Sequence, residues 1–169
     1  MNSLDKSDIF LSVIDLNKGI LYKVANSYCK NPEDRADLVQ EMIMQLWKSF
    51  DKYSDEYKYS TWIYRIALNV AISFYRKETN RKQVSNRLPD GIFYFADHHD
   101  RADIEENMGF LQQFISELND FDKALVLLYL DEKNHKEIAE IMGISETNVA
   151  TKIGRIKNIL KQKFSSIKT

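Results

Sequence analysis

Apolar residues recur at three- and four-residue steps through most of this chain, the spacing of helices with one buried face. From near Asp8, the residues Phe10, Val13, Ile14, Ile20, Leu21, Val24 and Tyr28 fall largely on one side, and predict a first helix interrupted only by Gly19. Asn31-Pro32-Glu33-Asp34 is a restart signal: an amide that caps, a proline suited to the first helical position, and two acids at the positive end of the helix dipole. The second helix then runs to about Phe50 and is expected to bury Leu38, Val39, Met42, Ile43, Leu46 and Trp47. Asp51 to Tyr59 reads as a loop rich in tyrosine and charge. Ser60 is the expected cap of a third helix, with Trp62, Ile63, Ile66, Ala67, Val70 and Phe74 inside. Its outer side carries Arg65, Asn69, Ser73, Arg76 and Lys77.

Periodicity fades from Lys82 to Arg87 and is missing from Leu88 to about Arg101, which predicts a linker. It returns with Ile104, Met108, Leu111, Ile115 and Leu118, then with Phe121, Ala124, Leu125 and Leu128. The expectation is an all-α protein of two small helical domains joined by an acidic linker. The boundaries fall at residues 1–85, 86–102 and 103–169.

Composition supports this picture. Five Gly and two Pro in 169 residues leave few sharp turns, and 44% hydrophobic content is enough for packed cores. A single cysteine, Cys29, cannot form an internal disulfide, which favours a reducing compartment. With no signal-peptide pattern at the start and no long apolar run, the expectation is a cytoplasmic chain without membrane insertion.

The net charge of -1 conceals a strong asymmetry. Residues 1–59 carry -2, residues 60–88 carry +5, residues 89–132 carry -9 and residues 133–169 carry +5. Two basic segments flanking an acidic one suggest two surfaces for a polyanion and a connector that avoids it.

The sharpest motif is Lys136-Glu137-Ile138-Ala139-Glu140-Ile141-Met142-Gly143-Ile144-Ser145. A short amphipathic helix stops at Gly143, which tolerates the left-handed backbone, and Ser145 caps a new helix. That helix carries Val149, Ile153, Ile156 and Leu160 as its buried stripe. Small Ala139 stands where two helices cross. This is a helix-turn-helix, whose second helix docks in the major groove. On its outer face lie Thr147, Asn148, Thr151, Lys152 and Arg155, then Lys157 and Lys161. The early hydroxyl and amide groups suit base edges and the later cations suit phosphates.

Two N-terminal stretches narrow the reading. Asp34-Arg35-Ala36-Asp37-Leu38-Val39-Gln40-Glu41 precedes Leu46-Trp47, and Thr61-Trp62-Ile63-Tyr64-Arg65-Ile66-Ala67-Leu68-Asn69-Val70-Ala71 precedes Phe74-Tyr75-Arg76-Lys77. These resemble region 2 of bacterial RNA polymerase sigma factors of the extracytoplasmic-function (ECF) group, in the sigma-70 family. Leu125 to Lys161 resembles their region 4. The resemblance implies that Asp34, Asp37, Gln40 and Glu41 bind the clamp helices of the polymerase largest subunit. It places Tyr57, Tyr59, Ser60, Thr61 and Trp62 where the −10 element is opened and a base captured, and Arg65, Asn69, Arg76 and Lys77 along that element. Thr147, Asn148, Thr151, Lys152 and Arg155 would read the −35 element. Leu68 and Ser73 depart from the family pattern, where a basic and an acidic residue are frequent, and this bears on −10 preference.

The resemblance implies core polymerase, promoter DNA and an anti-sigma factor as partners, for a chain monomeric when free, with no enzymatic activity and no cofactor. The acidic segment then reads either as an RNA-like thread for polymerase channels or as a tether that repels DNA. Asp97-His98-His99-Asp100 lacks metal-ligand spacing, so no metal site is expected. Two rivals remain: a helix-turn-helix transcriptional regulator with an N-terminal sensing domain, which would dimerise on a palindrome, and a protein-interaction module that sequesters another factor.

Overall fold

The computed structural model describes residues 3–82 and 102–168. Among these residues there are seven α-helices, one 3-10 turn and no strand, as the periodicity predicts. The chain divides into two compact units, Met1–Arg87 and Leu88–Thr169. The expected linker lies outside the described residues except for Ala102, which opens a helix, and so do His98 and His99.

The first unit packs α1 (Ser3–Tyr28), α2 (Pro32–Ser49) and α3 (Tyr59–Lys82) against one another, with a 3-10 turn at Phe50–Lys52. Asn31 caps α2 as expected, its side chain accepting from the Glu33 amide at 2.8 Å. Arg35 ties the α1–α2 corner by donating to the Lys30 carbonyl at 2.7 Å and to Asn26 Oδ1 at 3.3 Å. The core is Leu21, Val24, Leu38, Met42, Leu46, Ile63, Tyr64 and Ala67, all buried. Each large side chain in it contributes about 1.5–3 kcal/mol.

Three details depart from the expectation. α1 starts at Ser3, several residues before Asp8. α3 starts at Tyr59, with the Trp62 amide donating to the Lys58 carbonyl at 3.1 Å, so Ser60 lies inside the first turn and is not the cap. The face of α3 that is buried is also turned. Thr61, Tyr64, Leu68 and Ala71 are buried, whereas Trp62, Ile66, Val70 and Phe74 are half-buried. The reason is that α3 packs on two helices at once, so its buried surface is wider than a single stripe.

The second unit contains α4 (Ala102–Ser116), α5 (Asp120–Leu130), α6 (His135–Met142) and α7 (Glu146–Ile167). α7 packs on the other three, around buried Ile115, Leu125, Leu128, Ile138, Val149, Ile153 and Ile156. Asn134 and Glu137 form a reciprocal capping box at the start of α6. Gly143 closes α6 in the left-handed region, at φ 69° and ψ 34°. Ser145 then caps α7 by accepting from the Asn148 amide at 3.1 Å. The helix-turn-helix is formed where its motif stands.

Candidate nucleic-acid interface

In the first unit, α2 presents Asp34, Asp37, Gln40 and Glu41 within two turns, because spacings of three and four residues share a helix face. Asp37 and Gln40 are exposed, and Asp34 and Glu41 are half-buried. Glu41 accepts from Gln45 at 2.8 Å, which fixes its carboxylate along the helix. Gln40 also borders an apolar groove of about 570 Å³ between α1 and α2, lined by Ser7, Phe10, Leu11, Ile43, Met44 and Trp47. Trp47, expected in the core, is 38% exposed here. Its ring packs edge-on to Phe10 at 5.1 Å, and the Lys6 ammonium lies 4.6 Å from its centre. Lys6 is held in turn by Asp51 at 2.6 Å. Periodicity assigns a tryptophan to the buried side and gives no warning that the side opens into a groove.

The loop before α3 and the first turn of that helix are built from rings. Tyr53 stacks on Tyr59 with centroids 4.3 Å apart and planes 16° from parallel, and both meet Trp62 edge-on. The Tyr53 hydroxyl donates to the Tyr57 carbonyl at 2.5 Å, closing the loop on itself. Burial raises the Tyr53 phenol above its ordinary pKa, with Tyr59 and Asp55 adding to the effect. Arg65 lies over the Tyr57 ring at 5.4 Å.

The structure thus brings Tyr57, Tyr59, Trp62 and Arg65 into one cluster, and adds Tyr53, which the motif reading passed over. Ser60 is half-buried beside them. Thr61, expected at the DNA face, is 6% exposed and points inward, because the first turn of α3 lays it against the core. Further along α3, Asn69, Arg76 and Lys77 are exposed on the outer side, as their spacing predicts, while Leu68 is buried.

In the second unit, Thr147, Asn148, Thr151 and Arg155 are exposed on the outer face of α7, and Lys152 is half-buried. Four cations of that helix are seated against residues from elsewhere in the unit. Lys152 lies over Phe121 at 5.4 Å and Lys157 over Tyr129 at 4.3 Å. Arg155 pairs with buried Asp122 at 3.1 Å, and Lys163 pairs with Glu117. Asp122 went unnoticed in the sequence because 33 residues separate it from Arg155.

Among the described residues, no group of three or more His, Cys, Asp or Glu is placed to hold a metal ion. No helix there is long and apolar enough to cross a membrane. The arrangement offers polar groups for base edges, cations for phosphates, and rings for stacking.

The chain is similar to known proteins over both units. Residues 13–81 match the family model for Sigma-70 region 2, and residues 111–160 match that for Sigma-70, region 4. The chain is 31% identical over 146 residues to the ECF RNA polymerase sigma factor SigM of Bacillus subtilis (strain 168), covering 86% of this chain and 88% of that protein. It is 27% identical over 174 residues to the ECF RNA polymerase sigma factor SigW of the same strain, covering 95% and 91%. Among solved structures, the sigma factor RpoE in complex with the anti-sigma factor NepR from Bartonella quintana matches with a TM-score of 0.69 at 19% identity. That match covers 95% of this chain and 97% of the other, and speaks for the fold.

Proposed function

Because this chain belongs to the ECF group of the sigma-70 family and is an RNA polymerase sigma factor, we propose a division of labour between its two units. A domain over residues 1–85, within the first unit, binds core polymerase and opens the −10 element. A domain over residues 103–169, within the second, anchors on the −35 element through α7. Residues 86–102 join them. The observation that carries this reading is the order of the two matched regions along one chain, each with a surface of the expected chemistry.

On α2, Asp34, Asp37, Gln40 and Glu41 meet the polymerase clamp. Melting is driven by aromatic capture. An unstacked base costs a few kcal/mol to extrude, and stacking on a protein ring returns about 1–3 kcal/mol per base. Tyr57, Tyr59 and Trp62 supply those rings, Ser60 a hydroxyl beside them, and Arg65, Asn69, Arg76 and Lys77 follow the strand along α3. Thr147, Asn148 and Thr151 reach base edges, while Lys152 and Arg155 meet phosphates.

Neither unit need bind tightly by itself, because holding two weak contacts on one polymerase raises the effective concentration of each for its element. The protein acts in the cytoplasm, without catalysis of its own. An anti-sigma factor is a reasonable partner, since the RpoE protein of similar fold is one of a pair with NepR.

The test is run-off transcription with core polymerase and this protein on a library of genomic fragments. Discrete transcripts that need both components are expected. Tight dimeric binding to a palindrome without polymerase, and no transcripts, would instead favour a helix-turn-helix regulator.

A further inference from the structure

Arg155 stands on the outer face of α7, yet its guanidinium is turned toward α5. Its Nη2 lies 3.1 Å from Asp122 Oδ2 and 3.4 Å from Oδ1. The two ends of this pair differ sharply in environment: the Asp122 side chain is 7% exposed and that of Arg155 is 55% exposed. Asp122 is itself held by Asn119, whose Nδ2 donates to Oδ2 at 3.0 Å and whose Oδ1 accepts from the Asp122 amide at 2.8 Å. A buried carboxylate fixed by a helix cap therefore grips one end of a half-exposed arginine and leaves the rest of it facing outward.

From this we propose that Asp122 is a positioning residue, which holds the Arg155 guanidinium in the orientation that meets a DNA phosphate. The inference rests on α7 being the DNA-facing helix. A free arginine loses rotamer freedom when it docks, at about 0.5–1.5 kcal/mol per side chain, and a side chain already held does not. The grip involves one nitrogen of a group with five N–H donors, so capacity for a phosphate remains. Lys152, one turn earlier, is seated on Phe121, the neighbour of Asp122. The first turn of α5 thus underlies two successive cations of α7.

Charge counting and positioning predict opposite signs. Removing a carboxylate near a DNA-binding face should tighten binding if only net charge matters. If Asp122 positions Arg155, its removal should weaken binding. The experiment is filter binding of the full chain to a generic 30-bp duplex at low salt, with Asp122→Asn, Arg155→Gln and the double variant, alongside thermal melts.

Asp122→Asn keeps the amide that Asn119 caps and should weaken binding about 2- to 10-fold, the range that the ordering cost of one side chain implies. In the Arg155→Gln background the same change should have no further effect on binding. Equal or tighter binding by Asp122→Asn overturns the inference while leaving α7 as the DNA-facing helix. So does an equal loss in the presence and absence of Arg155, which would mark a merely structural role. If the unaltered chain fails to bind duplex DNA, the reading of α7 falls first and the inference with it. Should Asp122→Asn melt early, Asp122→Glu keeps the charge, and its failure to restore at least part of the binding overturns the inference.

Discussion

In the first unit the groups proposed to meet DNA are rings at the loop-to-α3 junction that pack on one another, Tyr53 on Tyr59 and both against Trp62. In the second they are short polar side chains and cations on a helix, with Lys152, Arg155 and Lys157 each seated against a residue of α5. The faces of stacked rings are already partnered, so a base entering between Tyr53 and Tyr59 must displace one of them. The outer face of α7 needs no such step. On the proposed reading, the ring cluster must rearrange to take a base, whereas the α7 face can meet DNA as it stands.

The largest way to break this comparison is through the core of the second unit. Leu128→Ala removes a fully buried side chain and should cost about 2–5 kcal/mol. Hydrogen exchange should show the loss confined to residues 102–168, with the first unit unchanged. Uniform loss across the chain would mean that the two units are not independent.

Next comes the ring cluster. Tyr59→Ala should reduce −10 opening by about 1–3 kcal/mol, followed as permanganate reactivity of unpaired thymines, with binding to core polymerase unaltered. A parallel loss of polymerase binding would place Tyr59 in the wrong surface.

A smaller effect is expected at the turn of the helix-turn-helix. Gly143→Ala puts a Cβ on a backbone at φ 69°, though nothing lies within 4 Å of it, so the cost is conformational strain alone. Stability of the second unit should fall by about 1–2 kcal/mol, read from urea unfolding.

The smallest change separates phosphate contact from base reading. Lys157→Ala should lower the slope of log affinity against log salt by about 0.9 on duplex DNA while leaving sequence preference intact. A changed preference would show that Lys157 reads bases.

How far the sequence anticipated all this depended on the range of each interaction. Caps and turns are local, so Asn31-Pro32, Gly143 and Ser145 announce their roles by type and position. The buried stripe of α7 follows from its period. Contacts between elements leave no such trace. Asp122 meets Arg155 across 33 residues, and Tyr53 reaches from an aperiodic loop to Tyr59 at the start of α3. Thr61 looked like part of a polar motif, yet the fold turned it inward. Trp47 shows the reverse case: an apolar residue on the expected inner face that the packing of α1 leaves beside a groove. The division into two units follows from the periodicity, while the stretch that joins them falls on residues 83–101, outside those described.

The placement of the two tryptophans has a practical consequence. Trp47 lines the α1–α2 groove and Trp62 joins the tyrosine cluster, so both indoles belong to the first unit. Indole emission therefore watches that unit alone, while circular dichroism sums the helices of both. In two single-tryptophan variants, emission from Trp47 would report on the α1–α2 groove and emission from Trp62 on the tyrosine cluster, each without any added dye.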